Sequence, residues 1–305
     1  MPSTTIAIAG FTGKTGHLIT KSLLARHPTA RINGICRSTS KVPAEYLSSP
    51  NIQVFRADST DSTALRRGLT GASACICCYL GDDKFMVEGQ KTLIDACIAE
   101  KVPRYVASDW TVDFRQLEFG EHPSKDPMKH VLAYLEEKED RGEIKGVHVL
   151  NGGFMEVLTS PYAPWMNLDE GTFKYWGTGD EKVDMTTYED AASFTAEIAV
   201  DDGANGFIEV LGDSKSPKEV AEVYKKVYGT EPKVERLGSW DDLQVKMTAI
   251  FKENPPNAFS WMGLYYQYIM GMEKTRLRKV ENHRYPSVKP KTLEDFLTLR
   301  KKNSA

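Results

Sequence analysis

Long apolar runs are missing from this sequence. No uncharged apolar stretch reaches the roughly 18 residues that a membrane-spanning helix needs, so no membrane helix is expected. A secretion signal is missing too. Met1-Pro2-Ser3-Thr4-Thr5 has no basic n-region, and the run Ile6–Ala9 is too short for an h-region. A strong net charge is absent, because 39 Lys and Arg against 42 Asp and Glu leave −3. That balance gives no support for non-specific nucleic-acid binding. The chain has no Gly-X-Y period, no sustained heptad, no H-E-x-x-H and no Ser-His-Asp order. Its histidines, His17, His27, His122, His130, His148 and His283, show no metal-ligand spacing. Cysteine is scarce: Cys36, Cys75, Cys77, Cys78 and Cys97. Few cysteines, odd in count and without a secretion signal, point to reduced thiols and a cytoplasmic protein. Cys75-x-x-Cys78 matches a redox or metal pair in form. It lies inside Ala74–Tyr79, which reads as a buried strand, with no second such pair and no nearby histidine.

What is present is ordinary for a globular protein, with 41% hydrophobic and 27% charged residues. At about 150 residues per domain, 305 residues make one large domain or two modest ones. The charge is uneven. From Lys274 to Ala305 there are ten Lys and Arg and three Asp and Glu, a local +7, which leaves −10 on the rest. This tail reads as a solvated C-terminal helix and loop, or as a surface for phosphates or an acidic partner.

The N-terminal half carries the chemical signal. An apolar run at Thr4–Ala9 leads into Gly10-Phe11-Thr12-Gly13-Lys14-Thr15-Gly16, and then into a helical pattern with Leu18, Ile19, Leu23 and Leu24. Strand, glycine turn and helix in this order make a dinucleotide cradle. Gly10 allows the tight turn, Gly13 admits a pyrophosphate, and Gly16 lets helix and strand pack closely. The helix N-terminus then presents N–H groups to the phosphates. Thr12, Lys14 and Thr15 belong to the same loop. Lys14 adds a cation, but the loop is not the G-x-x-x-x-G-K-[ST] type.

A second strand, Arg31–Cys36, is followed by Arg37-Ser38-Thr39-Ser40-Lys41. A free ribose 2′-hydroxyl would call for Asp or Glu there. Arg37 and Lys41 instead suit a 2′-phosphate, which favours NADP(H). Further strands read at Ile52–Phe55, Ala74–Tyr79, Arg104–Ala107 and Gly146–Asn151, with helices at Ser62–Leu69 and about Lys84–Glu100. The alternation predicts an α/β fold with a doubly wound parallel sheet. In such sheets ligands bind beyond the carboxyl ends of the strands. That gathers Arg37, Asp58, the Tyr79–Asp83 loop, Ser108 and Asp109 around one crevice.

After Phe154 the period changes. A helix beginning at Met155–Thr159 is broken at Pro161 and Pro164, a strand reads at Thr172–Trp176, and helices read around Ser193–Val200 and over Ser216–Tyr228. Trp261, Tyr265 and Tyr268 share one helical face, with Met262, Tyr266 and Ile269 beside them. The stripe is core or an aromatic lid over an apolar ligand. Phe154, Met155, Trp110 and Trp165 are candidates for the same wall.

These residues together resemble a known family. Gly10-x-x-Gly13-x-x-Gly16, Asp58-x-x-Asp61, Lys101-Val102-Pro103-Arg104-Tyr105-Val106, Asn151-Gly152-Gly153-Phe154 and Gly177-Thr178-Gly179 recur in this order in the NmrA-like and isoflavone-reductase-like proteins, the atypical short-chain dehydrogenases. Thr186–Ala192 and the ending Pro286–Leu297 are similar to the family as well. The resemblance implies a Rossmann domain over 1–154 that binds NADP(H). It also implies a smaller α+β substrate region over 155–305, partly interleaved with the sheet. Tyr79, Gly153 and Phe154 then join the cofactor residues. The family's reductase branch carries Pro-Ser-Glu-Phe-Gly after its fifth strand and a Lys further on. Here Ala107-Ser108-Asp109-Trp110-Thr111 stands instead, and the Lys best matches Lys129, with Lys125 close by. Lys129 would hold the nicotinamide ribose and donate a proton as hydride arrives. Asp109 would pair with a cationic substrate or orient Lys129. A competing pair is Tyr134 with Lys138, whose spacing of four puts both on one helix face.

The resulting expectation is an NADPH-dependent reductase of the atypical short-chain class. It would transfer hydride to a C=O, C=N or activated C=C of an aromatic or alkaloid-type secondary metabolite. Ser108, Asp109, Lys129 and Tyr134 are the catalytic candidates. The protein would be a monomer or homodimer, with a small molecule as partner and no nucleic acid or membrane. The alternatives are a cofactor-bound isomerase or cyclase without net redox change, and a non-enzymatic NADP-sensing regulator.

Overall fold

A computed structural model describes residues 4–160 and 166–304. The helix break at Pro161 and Pro164, and Trp165 as a wall residue, lie outside the described residues. The first half alternates strand and helix: β1 (Thr5–Ala9), α1 (Lys14–Arg26), β2 (Arg31–Cys36), α2 (Ala44–Leu47), β3 (Ile52–Arg56), α3 (Ser62–Leu69), β4 (Ala74–Cys77), α4 (Gln90–Ala99), β5 (Arg104–Val106), α5 (Asp126–Asp140) and β6 (Lys145–Leu150). The second half holds β7 (Gly153–Phe154), α6 (Met155–Leu158), β8 (Met166–Asn167), β9 (Thr172–Trp176), β10 (Val183–Thr186), α7 (Tyr188–Val200), β11 (Gly206–Glu209), β12 (Asp213–Lys215), α8 (Pro217–Tyr228), β13 (Lys233–Gly238), α9 (Trp240–Glu253), α10 (Ala258–Gly271) and α11 (Leu293–Ser304). No helix among the described residues is long and apolar enough to cross a membrane.

Seven strands form one sheet in the order β11-β6-β5-β4-β1-β2-β3. The pairings from β6 through to β3 are parallel. The chain winds outward from β1 in both directions, so the expected doubly wound sheet is present, with its topological switch between β1 and β4. Strands β1 and β4 are buried on both faces, which is why they read as short continuous apolar runs. Cys75 and Cys77 point into the core formed with α3, α4 and α5, and burial pushes both thiols up. Their place is packing.

The chain divides into two compact units. The first comprises residues 1–110, 124–149 and 191–208, and the second 111–123, 150–190 and 209–305. Within the first, Arg104 is buried and donates to Ile198 O at 3.1 Å, Ala199 O at 2.9 Å and Asp201 O at 2.5 Å. The last carbonyls of α7 thus receive the cation that a helix C-terminus favours.

The second unit has two three-stranded sheets, β12-β10-β7 and β13-β9-β8. Helix α8 starts on a capping box of Ser216 and Glu219 with Pro217 at its first position, and ends at Gly229 with φ of 75°. Trp261 and Tyr265 pack with Trp176, Leu243, Met247 and Leu264 in a core joining α9 and α10. The aromatic stripe is therefore largely core. The basic tail is matched by carboxylates of its own unit: Lys274 to Glu121 at 2.7 Å, Arg276 to Asp184 at 2.9 Å, Lys291 to Asp190 at 3.2 Å and Arg300 to Asp169 at 2.8 Å.

Candidate functional site

The site begins where β1 turns into α1. Gly10 has φ of +78°, in the region that disfavours a side chain. A Cβ there would stand 2.5 Å from Cys78 O, so the turn runs against the end of β4. At Gly16 a Cβ would lie 2.8 Å from Gly10 O, which lets α1 sit down on the loop. Gly13 is the N-cap of α1 and contributes no side-chain cap, and the first turn carries no acid. An anion is the natural complement to that helix end. Thr12 and Thr15 are half-buried in the loop, and Lys14 is exposed at its rim.

Arg37 and Lys41 are exposed beyond the end of β2. Ser38 accepts from Ser40 N and holds the short turn that carries Lys41. Asp58 follows β3. Its Oδ1 accepts from Thr60 N at 3.0 Å and Thr60 Oγ1 at 2.8 Å. Those donors, with the Arg37 guanidinium adding to them, hold the Asp58 carboxyl below its usual range. Asp61 caps α3 by accepting from Ala64 N at 2.9 Å. The Asp58-x-x-Asp61 pair is thus a turn lock followed by a helix cap.

Hydrogen bonds tie together the ends of β4 and β5. Ser108 is buried, and its Oγ donates to Tyr79 O at 2.7 Å. The Tyr79 ring packs on Phe85 with centroids 5.0 Å apart. Asp109 is 7% exposed, and its Oδ2 lies 2.6 Å from His148 Nδ1. The imidazole stacks on Phe207 at 4.7 Å. The sequence reads Asp109 as pairing with a cationic substrate or orienting Lys129; its carboxylate lies in the interior against His148. Trp110 follows with φ of +39° and donates from Nε1 to Thr195 Oγ1 at 2.9 Å. Such strain persists where neighbours over-determine a position.

The two lysines separate clearly. Lys125 is the N-cap of α5, 1% exposed, with Nζ 3.7 Å from Met128 Sδ. Lys129 comes one turn later and is half-buried. Tyr134 departs from its candidate role. Its hydroxyl donates to Asp95 Oδ1 at 2.6 Å, and Lys138 Nζ sits 4.9 Å from its ring centroid, reaching Asp95 and Glu143. Burial and the Asp95 carboxylate push the phenol pKa up, whereas a proton-donating Tyr in a Y-x-x-x-K pair needs it lowered. His130 is an exposed helix position.

In the second unit, the Gly153 position is close to Leu158 and Met270. Phe154 stacks on Tyr188 at 3.8 Å with an interplanar angle of 13°. The Tyr188 backbone N–H donates to the Glu156 carboxylate.

Two important residues escaped the sequence reading. His148 sits between Val147 and Val149 on a buried stretch of strand, a signal that was available. Gln90 falls on the buried register of its helix with Met86, Leu93, Ile94 and Cys97, and a polar residue at such a position needs partners.

A sequence model of the NmrA-like family matches residues 2–297. The chain belongs to the NmrA-like family. A relative, quinone oxidoreductase 2 of Escherichia coli strain K12, is 27% identical over 214 residues, covering 68% of this chain and 69% of that one. The solved structure of the E. coli NADPH-dependent quinone oxidoreductase complexed with NADPH superposes with a TM-score of 0.74 at 22% identity, over 96% of this chain and 98% of that one. The binary complex of leucoanthocyanidin reductase with NADPH from Vitis vinifera gives 0.76 at 18% identity, over 96% and 98%. At these identities the structural likeness speaks for the shared fold.

Proposed function

We propose that this NmrA-like protein is a cytoplasmic NADP(H)-dependent oxidoreductase that reduces a C=O, C=N or activated C=C of an aromatic or alkaloid-type metabolite. The observation that carries this reading is the cradle of Gly10, Gly13 and Gly16 with Arg37 and Lys41 beyond the next strand. The NADPH complexes of two fold neighbours support it. Gly10 and Gly16 bring α1 close to the turn, and the N–H groups behind Gly13 receive the pyrophosphate. Arg37 and Lys41 take the 2′-phosphate, Arg37 as a planar fork. When bound, the reduced nicotinamide supplies a hydride.

Lys129 is the residue assigned to the proton. It binds the nicotinamide ribose and delivers a proton to the substrate atom that becomes electron-rich. Lys125, one turn earlier on α5, is the alternative. Asp109 is engaged with His148 and Ser108 with Tyr79, so neither is assigned the proton. The second unit is assigned substrate recognition, with Phe154 and Tyr188 as an aromatic surface.

The test follows reduced-nicotinamide absorbance with a panel of quinones, aromatic ketones and cyclic iminium ions. Arg37→Ala is expected to weaken NADPH binding by about 10- to 100-fold, the worth of charge-assisted hydrogen bonds, and to leave NADH binding unchanged. Equal effects on both cofactors would refute the 2′-phosphate assignment.

A second reading is a non-enzymatic NADP(H) sensor. It is favoured by the engagement of Ser108, Asp109 and Tyr134 with Tyr79, His148 and Asp95. Tight NADPH binding without turnover of the panel selects it.

A further inference from the structure

Just before α4 the helix opens into a wide π-turn over Phe85–Gly89. Such bulges concentrate at functional sites. Gln90 follows directly and is 1% exposed. Its backbone N–H goes to Val87 O, and its side-chain Nε2 donates to Met86 O at 3.0 Å. Its Oε1 accepts twice, from Tyr105 Oη at 3.1 Å and from Ser108 N at 3.1 Å. Both lone pairs of the amide oxygen are therefore used, a double role that no apolar side chain of this size provides.

These bonds close a ring. Gln90 holds Ser108, Ser108 holds Tyr79 O, the Tyr79 ring rests on Phe85, and Phe85 opens the turn that delivers Gln90. The members come from the ends of β4 and β5 and from the start of α4. Arg37 and Lys41 place the phosphorylated ribose beyond β2. The other half of a dinucleotide lying across the switch point then falls beyond β4 and β5, where Tyr79 and Ser108 stand.

We propose that Gln90 is a positioning residue for the nicotinamide half of the cofactor, acting through Ser108 and Tyr79. This rests on the NADP(H) reading above. Gln90 locks the ends of β4 and β5 in one register and thereby fixes the wall against which the nicotinamide ribose lies. The adenosine half, on the far side of β1, does not depend on it.

The test uses two probes on the full chain by calorimetric titration: NADPH, and adenosine 2′,5′-bisphosphate, which lacks the nicotinamide half. Gln90→Leu is expected to raise the NADPH dissociation constant about tenfold, the scale of one or two lost hydrogen bonds, and to leave the bisphosphate within about twofold. Gln90→Glu keeps both acceptor bonds, and as the neutral acid that burial favours it also keeps a donor towards Met86 O, so it is expected to restore NADPH binding to within about threefold. Ser108→Ala, a smaller change that cuts the tether to Tyr79, gives the same selective loss. Added to Gln90→Leu it costs little more, as coupled neighbours should. If Gln90→Leu fails to fold, Ser108→Ala carries the test alone. Unchanged NADPH affinity, or equal losses for both probes, overturns the proposal. Wild-type protein that binds neither probe refutes the cofactor reading itself, and with it this one.

Discussion

Replacing Gly10 and Gly13 one at a time separates what the cradle does for folding from what it does for binding. At Gly10 an alanine must adopt φ of +78°, a left-handed conformation that costs a residue with a Cβ about 1–2 kcal/mol. Its Cβ also starts 2.5 Å from Cys78 O and 2.8 Å from Cys78 C, backbone atoms at the end of a core strand. Relieving such a contact costs roughly 1–3 kcal/mol. A total of about 3 kcal/mol lowers a melting temperature by about 6–12 °C in a domain of this size. Gly13 has φ of −78° and ψ of 164°, open to any residue, and its nearest neighbour would be Gly10 O at 3.2 Å. Alanine is a poor N-cap, costing about 0.5–1 kcal/mol. It recovers about as much by restricting the unfolded chain. Gly13→Ala is therefore expected to melt within about 2 °C of wild type. Yet it adds a methyl to the loop assigned to the pyrophosphate, so NADPH affinity is expected to fall at least about tenfold, or 1.4 kcal/mol. Differential scanning fluorimetry and NADPH titration read the two effects. A Gly13→Ala protein with wild-type affinity would refute the pyrophosphate assignment. A Gly10→Ala protein with wild-type melting would refute the packing argument.

Tyr134→Phe removes the hydrogen bond to Asp95. It should lower stability by about 1 kcal/mol and leave NADPH turnover unchanged, whereas a large loss of kcat would restore Tyr134 and Lys138 as a catalytic pair. Acid should weaken the fold in a defined window. Backbone N–H groups of Thr60, Ser216 and Ser239 hold Asp58, Glu219 and Asp242 below their ordinary values, and the Thr292 hydroxyl does so for Asp295. Their folded values are depressed, so their contribution is present above the ordinary carboxylate range and is lost as pH falls through the lowered values. Melting temperatures measured from pH 6 downward should hold until about pH 4.5 and then decline. A flat profile through that range would contradict it.

Local pattern made much of the first unit legible. The apolar run of β1 and the glycine spacing each encode one local geometry, and the structure repeats it. The helical pattern over Ser216–Tyr228 is local in the same way, and α8 follows it. What escaped depends on partners distant in sequence. Asp109 and His148 are 39 residues apart, and neither position's neighbours foretell the pairing. Tyr134 kept its spacing to Lys138, but Asp95 on another helix decided where its hydroxyl goes. The π-turn at 85–89 hid within an ordinary apolar helical pattern, because one extra residue in a turn leaves no compositional mark. The segments 111–123 and 191–208 trade places between units, and hydrophobic period says nothing about which unit a segment joins.

The pairing of the tail sets an order of assembly during synthesis. By Glu209 every strand of the seven-stranded sheet has been made, and the first unit has all its segments. The second unit is in a different position. Asp184 and Asp190 are nearly buried, but the cations that neutralise them, Arg276 and Lys291, are translated about a hundred residues later. Until those arrive, burying either carboxylate carries the penalty of an unpaired charge. The half-made second unit is therefore expected to stay hydrated while the first unit folds on the ribosome. A ribosome stalled before Lys274 would display a finished cofactor domain attached to an open, protease-sensitive chain.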